Sequence, residues 1–302
     1  MERFVILALV GLAAQLVDGA LGMGYGLTST TLLLTAGVAP AIASASVHMA
    51  EVVTTAASGV SHVKFGNVDK QMAKRLIIPG AIGAFLGATF LSQLTGEYVR
   101  LYVSIFLLCL GLYILTRFLF LQDARKQEHK VLTNKFYVPL GFVAGFFDAS
   151  GGGGWGPIAT PALLSQKGME PRKVIGTVGA SEFAVASAAT LGFIISLGLG
   201  NINWLWAGAI MLGGIIAAPI AAWIVKNLPT KILAVIVSGM LIFTNTNAIL
   251  SYTNIEPFWE NMIYGVIVAV WLMIVLYVIQ KERRLIPRAV QYLQDQKSRK
   301  TS

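Results

Sequence analysis

Seven long apolar runs alternate with short polar joints along the chain: Ile42–Val63, Leu76–Leu94, Leu101–Phe120, Val174–Leu197, Trp204–Val225, Ile232–Thr253 and Phe258–Ile279. A helix crossing a ~30 Å hydrocarbon core needs ~20 residues, so each run predicts a transmembrane helix. Two further apolar stretches, Phe4–Gly37 and Phe136–Gln166, are too long for one simple helix and are interrupted by glycines. In the second, Phe136–Asp148 and Pro157–Gln166 flank the Gly151–Gly154 run. The pattern predicts hairpins of two half-helices, each leg covering about half the hydrocarbon core at ~1.5 Å per residue before the chain returns to its side of entry.

The two interrupted stretches are near copies. Val17-Asp18-Gly19-Ala20-Leu21-Gly22-Met23-Gly24-Tyr25-Gly26 recurs, 130 positions later, as Phe147-Asp148-Ala149-Ser150-Gly151-Gly152-Gly153-Gly154-Trp155-Gly156. Asp18 matches Asp148, Gly22, Gly24 and Gly26 match Gly152, Gly154 and Gly156, and Thr30 matches Thr160. The correspondence continues with Pro40 and Glu51 against Pro171 and Glu182, then Gly66-Asn67 and Gly80 against Gly200-Asn201 and Gly214. An acidic residue beside a glycine cluster inside an apolar run marks the place where a membrane helix breaks and an ion or substrate is held.

Composition narrows the class. Hydrophobic residues make up 56% of the 302 and charged residues 12%, with a mean hydropathy of +0.71. Soluble domains carry about 25% charge, so the chain is an integral membrane protein. The net charge of +9 does not point to nucleic acid, because its basic residues sit in short joints and in the tail. The lone Cys109 excludes an intrachain disulfide. The N-terminal apolar stretch after Arg3 is read as structural, since removal as a signal peptide would cut away the first glycine motif.

Charge also orients the chain. Lys64, Lys70, Lys74 and Arg75 mark one joint as cytoplasmic, and Arg117 to Lys135, then Lys167, Arg172 and Lys173, mark the joints on both sides of the second hairpin. A hairpin that crossed the membrane would separate those two basic joints, so it is re-entrant. All of the 23 Lys and Arg residues except Arg3 and Arg100 then face the cytoplasm, with the C-terminus inside and the N-terminus outside a cell (inner or plasma) membrane. A hairpin plus three crossings inverts the second half. The predicted fold is an all-α integral membrane protein of two inverted-topology repeats. Each repeat is a re-entrant broken-helix hairpin plus three transmembrane helices, with one extra C-terminal transmembrane helix. Its segments are a first repeat (1–125), a cytoplasmic linker (126–135), a second repeat (136–255), the extra helix (256–280) and a basic amphipathic tail (281–302) lying on the anionic leaflet. Inverted repeats are the architecture of alternating-access carriers, with the site near the bilayer midplane.

The motifs VDGALGMGYG and FFDASGGGGWGPIATPALL, spread over two half-repeats, resemble those of the TauE/SafE sulfite exporter family, also called the TSUP transporters. The resemblance covers about Phe4 to Gln280. It implies a permease moving small sulfur-containing anions such as sulfite or sulfonates, often outward and coupled to the proton gradient. The first copy departs from the second at Leu21, Met23 and Leu27, which stand against Gly151, Gly153 and Pro157, so a less symmetric site is expected.

Half-helices starting near Tyr25 and Trp155 would present N–H groups and positive dipole ends to an anion. The expected substrate contacts are Gly22, Gly24, Tyr25, Thr30, Ser150, Gly152, Gly153, Gly154, Trp155, Thr160 and Asn245. The other reading of the glycines is tight packing, and of Asn245 an interhelical hydrogen bond. Asp18, Asp148, Glu51 and Glu182 fall at membrane depth in two matched pairs, where a carboxyl pairs, faces a cavity or carries a proton. His48, three residues before Glu51, shares its helical face and could relay a proton with it. Against this stands a structural role, and for Asp18 and Asp148 backbone capping. Ser46 and Thr177 could line the cavity or serve packing, and the Gly80, Gly83 and Gly87 seam could serve intrachain packing or a homodimer. His62 and His129 lie in or near joints. The sequence spacing shows no His/Cys/Asp cluster suited to a metal, and no cofactor is expected. The paired carboxylates leave two other classes open, an intramembrane enzyme and a passive channel.

Overall fold

The fold is a helical bundle, described by a computed structural model over residues 2–21, 24–64, 66–94, 98–120, 133–164, 166, 171–201, 204–225 and 230–301. Side chains are described within that range except for 2–3, 17, 19–21, 61, 164, 171–172, 201, 218–225, 230, 233 and 283–301. Among the described residues eleven α-helices follow one another: α1 (Glu2–Leu21), α2 (Tyr25–Thr35), α3 (Pro40–Lys64), α4 (Lys70–Gln93), α5 (Tyr98–Phe120), α6 (Asn134–Gly151), α7 (Trp155–Leu164), α8 (Pro171–Leu197), α9 (Trp204–Val225), α10 (Thr230–Leu250) and α11 (Pro257–Thr301). Local chemistry sets several of the ends. Pro40, Pro171 and Pro257 each open a helix, where the missing N–H costs no hydrogen bond. Asp69 caps α4 by accepting hydrogen bonds from the Gln71 and Met72 amides at 2.9 and 3.1 Å.

Each of the seven expected spans coincides with a helix, two of them running past its end: Leu76–Leu94 by one residue and Ile232–Thr253 by three. Among the described residues four stretches are long and apolar enough to cross a membrane: Lys70–Gln93, Tyr98–Phe120, Lys173–Leu197 and Pro257–Glu282. The bundle is apolar outside as well as inside. Ile78, Ile216, Met273 and Leu276 are more than half exposed, an arrangement stable against lipid and not against water. The protein is a multi-pass, all-α membrane protein. α11 lies at the periphery, with 6% of its apolar window buried, and is anchored to α10 by the Trp271 indole N–H donating to the Val235 carbonyl at 3.0 Å.

Two expectations are corrected. The hairpin legs are unequal: α1 and α6 have 20 and 18 residues against 11 and 10 for α2 and α7. At ~1.5 Å per residue the long legs are ~27–30 Å and the short ones ~15 Å, because the first leg of each hairpin continues helical up to the glycine break. The tail is no separate surface helix either, since α11 runs without a break from Pro257 to Thr301. Its amphipathic face beyond residue 282 lies outside the described side chains, as does most of the 126–135 linker outside the described residues.

Contacts at the helix ends show which ends lie together. Ile6 and Leu7 of α1 share a cavity of about 370 Å³ with Ala36, Gly37 and Val38, just past α2. The Arg100 guanidinium at the start of α5 donates to the Leu34 carbonyl at 3.1 Å. At the other end Arg75 of α4 lies over the Tyr137 ring of α6, 5.6 Å from its centroid, and Lys173 of α8 donates to the Gly66 carbonyl at 2.9 Å. The start of α1 therefore lies beside the end of α2, and the start of α6 beside the start of α4.

The halves exchange partners. α4 lies along α6, and α1 along α9, through seams of small residues. A Cβ added to Gly145 would sit 2.1 Å from the Gly80 carbonyl oxygen, and one on Gly11 2.1 Å from that of Ile210. Such approach is available only without side chains, and in lipid it is close packing that holds helices together.

Candidate functional site

Both glycine breaks meet near the middle of the bundle. Helix α6 ends where Gly152 turns into the left-handed region, φ +76°, and Gly153 follows at φ +140°. Gly24, at φ +121°, precedes α2 in the same way. Gly153 lies so close to Gly26 and Leu27 that a Cβ on it would sit 2.3 Å from the Leu27 nitrogen. Thr30 donates its hydroxyl hydrogen to the Gly152 carbonyl at 2.5 Å, joining the two hairpins directly. The aromatic after each break fills a gap left by a glycine in the opposite half. Trp155 packs on Gly80 and donates its indole N–H to the Val178 carbonyl at 3.1 Å, while Tyr25 reaches Gly214 and donates its hydroxyl to the Ile210 carbonyl at 3.4 Å.

The aspartates turn back onto the breaks. Asp148 Oδ1 accepts from the amides of Gly154 and Trp155 at 2.7 and 2.9 Å, and Asp18 Oδ1 accepts from the Tyr25 amide at 3.3 Å. The leading amides of α7 thus hold a carboxylate of the chain itself, and Pro157 offers no further donor. The anion cradle expected at Trp155 is occupied from within. Several buried polar atoms have no hydrogen-bond partner among the described residues, among them the hydroxyls of Thr28, Ser29, Ser104 and Thr160, Gln15 Oε1 and Glu51 Oε2. Ser150 is buried with its hydroxyl 3.5 Å from that of Tyr102. Asn245 donates to Leu241 of its own helix at 2.8 Å and to Thr31 of α2 at 3.4 Å, so it makes the interhelical bond. Gly22 lies outside the described residues.

On α3, His48 Nε2 lies 3.2 Å from Asp148 Oδ2 and 3.9 Å from Glu51 Oε2. Its Nδ1 lies 2.8 Å from the Ser44 carbonyl, and the Ser44 hydroxyl donates to the Ala149 carbonyl at 2.7 Å. Asp148, Glu182 and Asp18 all lie within electrostatic reach of Glu51, which puts the four carboxyls in one neighbourhood.

The family model described as sulfite exporter TauE/SafE matches residues 7–248, a stretch that holds both hairpins and every residue of this neighbourhood. The chain belongs to the TauE/SafE sulfite exporter family. A probable membrane transporter protein of Bacillus subtilis (strain 168), YtnM, is 55% identical over 293 residues, covering 96% of this chain and 98% of its own. A second from that strain, YunE, is 23% identical over 79% of this chain and 94% of its own. One from Xylella fastidiosa (strain Temecula1) is 27% identical over 74% and 88%. No solved structure matches the chain. The protein is accordingly a membrane transporter and not an enzyme, so the paired carboxylates of this TauE/SafE chain serve transport or structure.

Three further sequence readings can be placed in the TauE/SafE fold. Ser46 donates to the Ile42 carbonyl within its own helix, and Thr177 accepts from the Asp69 amide at the start of α4. His62 lies at the end of α3 beside Asn67, and His129 is outside the described residues. No His/Cys/Asp cluster with metal spacing occurs along the sequence, but in space one donor atom each of His48, Glu51 and Asp148 lie within 4.8 Å of one another. Sequence spacing could not show this, because Asp148 lies 100 positions from His48. Ser44, Thr28 and Ser29 were also missed, although the hydroxyl run Thr28 to Thr31 directly after a glycine break was a visible signal.

Proposed function

We propose that this TauE/SafE protein is a secondary transporter of small sulfur-containing anions such as sulfite or organosulfonates, exporting them in exchange with, or together with, protons by alternating access. The observation that carries the reading is the meeting of Gly26 with Gly152 and Gly153, where two broken helices from the two halves touch at backbone distance. Broken helices in corresponding positions are the strongest pointer to a transport site. The exchanged packing of α4 on α6 and α1 on α9, with the start of α1 beside the end of α2 and the start of α6 beside the start of α4, supports two inverted-topology repeats. Rocking one repeat against the other would part these surfaces.

In this reading the substrate enters between the hairpins. Gly24, Tyr25 and Thr30 line it on one side, Ser150, Gly152 to Trp155 and Thr160 on the other, and the unpartnered hydroxyls of Thr28 and Ser29 offer it donors. Every residue from Gly24 to Thr31 and from Asp148 to Pro157 is buried, which fits a closed carrier state better than an open channel. No lysine or arginine stands in this region, so a bound anion would rest on hydroxyls and on the amides that Asp18 and Asp148 leave free, and it can leave again. An anion beside Asp18, Glu51, Asp148 and Glu182 would be repelled unless a proton accompanies it, which supports proton coupling. The cell membrane, with the C-terminus in the cytoplasm and the N-terminus outside, is the setting that the basic joints favour.

Proteoliposomes loaded in turn with sulfite, sulfoacetate, sulfate and chloride test the proposal, with and without a pH gradient. Saturable flux of a sulfur oxyanion that responds to the gradient is expected. Equal, unsaturable flux of all four would replace the carrier with a channel, and no flux of any would remove the substrate assignment.

A further inference from the structure

We infer that the coupling proton sits between His48 and Asp148, where it ties helix α3 of one half to the α6–α7 hairpin of the other; the inference rests on the transporter reading above. The argument begins with the Ser44 carbonyl. A carbonyl oxygen only accepts, so His48 Nδ1, at 2.8 Å from it, carries a hydrogen. A neutral imidazole has one ring hydrogen, which leaves Nε2 as a bare lone pair. That lone pair faces Asp148 Oδ2 at 3.2 Å and Glu51 Oε2 at 3.9 Å. Asp148 Oδ1 is engaged by two backbone amides, and Glu51 Oε2 has no hydrogen-bond partner. With both carboxyls ionised, three acceptors converge with no donor among them. His48 is 0% exposed and Glu51 1%, and the Phe193 ring, 5.9 Å from the imidazole centroid, closes the pocket from α8. A buried set of this kind needs a cation, and one proton on the Nε2–Oδ2 line turns the contact into a hydrogen bond.

The same geometry couples the proton to movement. With the proton in place, Nε2–H and Oδ2 bond, and Asp148 holds α6, the break and the first turn of α7 against α3. When the proton passes to Glu51 Oε2, His48 becomes a neutral imidazole and Glu51 a neutral acid. Nε2 and Oδ2 then oppose each other as two lone pairs, and the tie opens. The remaining ionisable groups facing this centre are Asp18 from α1, Tyr25 from α2 and Glu182 from α8. None of them is basic. Along the sequence the histidine is not duplicated, although the hairpins are. The position matching His48 in the second half, by the spacing that matches Glu51 to Glu182, is Gly179, and the imidazole of His62 lies against that glycine, 3.7 Å from where its Cβ would be.

The test uses purified full-length protein in proteoliposomes and reads sulfite accumulation under a one-unit pH gradient divided by accumulation without one, a ratio from which a general loss of flux cancels. One proton per anion gives a wild-type ratio of about ten, since one pH unit is worth a factor of ten. H48Q and E51Q are expected to bring the ratio to about one, because the proton has lost its site or its exit. H62Q, outside the centre, is expected to keep the wild-type ratio. An H48Q protein with the full wild-type ratio overturns the inference and leaves the transporter reading intact, whereas absence of sulfite flux in the wild type counts against the transporter reading. Should H48Q not fold, wild-type protein labelled with ¹⁵N-histidine decides. One of its three imidazoles, identified by H62Q and H129Q spectra, should change its Nε2 signal on sulfite addition, and three unchanged imidazoles overturn the inference. A stoichiometric metal ion in the purified protein whose chelation abolishes transport overturns it as well.

Discussion

Replacing Gly153 by alanine tests the contact on which the site is built. Gly153 has φ +140°, a backbone conformation that L residues rarely adopt, and its added Cβ would stand 2.3 Å from the Leu27 nitrogen and 2.5 Å from the Gly26 carbonyl carbon. Holding a non-glycine residue in such a conformation costs ~1–3 kcal/mol. Forcing a methyl group against backbone atoms that cannot rotate away costs a further ~1–3 kcal/mol. The total, ~2–6 kcal/mol, is a large share of the ~5–15 kcal/mol that separates a folded domain from its unfolded chain. Gly208 on α9 supplies the control, since a Cβ there meets nothing within 4 Å. Gly208→Ala should be neutral or stabilise its helix by up to ~1 kcal/mol. Thermal unfolding in detergent, followed by intrinsic fluorescence, compares the two side by side. By the scaling of soluble domains, G153A should melt at least ~4 °C below wild type and G208A at or above it. Alternatively, the hairpins could part to admit the methyl group, and then melting would hold while sulfite flux fell. G153A that both melts and transports like wild type would refute the claim that the hairpins meet at backbone distance.

Other outcomes follow from single contacts. Asp148→Asn keeps an oxygen for the Gly154 and Trp155 amides and should melt within ~1 kcal/mol of wild type, whereas Asp148→Ala strands two buried donors and should lose ~2–4 kcal/mol, both read from thermal unfolding. Thr30→Val removes the bond to the Gly152 carbonyl at nearly constant shape, and a loss of ~0.5–1.5 kcal/mol is expected in the same assay. Gly145→Ala drives a methyl group into the Gly80 carbonyl on the α4–α6 seam and should cost ~1–3 kcal/mol, visible as a lowered melting temperature. For topology, a C109A background carrying Ser251→Cys should react with a membrane-impermeant maleimide on intact cells, and one carrying Lys70→Cys only after permeabilisation; the reverse pattern would invert the proposed orientation.

Much of the architecture was legible because its causes are local. A run of ~20 apolar residues becomes a helix wherever lipid surrounds it, since no other backbone form satisfies its own hydrogen bonds there. The breaks fell at Gly24 and at Gly152–Gly153, where only glycine takes the positive φ that ends one helix and starts the next. The aspartates stood next to those breaks in the sequence, and capping is a contact over six or seven positions. Even Pro157, which removes an amide from the supposed anion cradle, was readable in advance.

What the tertiary structure alone decided depends on helices far apart in the chain. The partner exchange between halves pairs Gly145 with Gly80 and Gly11 with Ile210, and nothing near any of these residues names its counterpart. Leg lengths were misjudged because apolar composition fixes where a helix can run, while the point where it stops depends on backbone turns that the assembled bundle stabilises. The clearest case is His48. Its spacing from Glu51 placed the two on one helical face, but its closest carboxylate belongs to Asp148, 100 positions away, brought there by α3 crossing the second hairpin. Sequence determines which groups are present and how each helix turns them; only the packing of one helix on another determines which lone pair faces which.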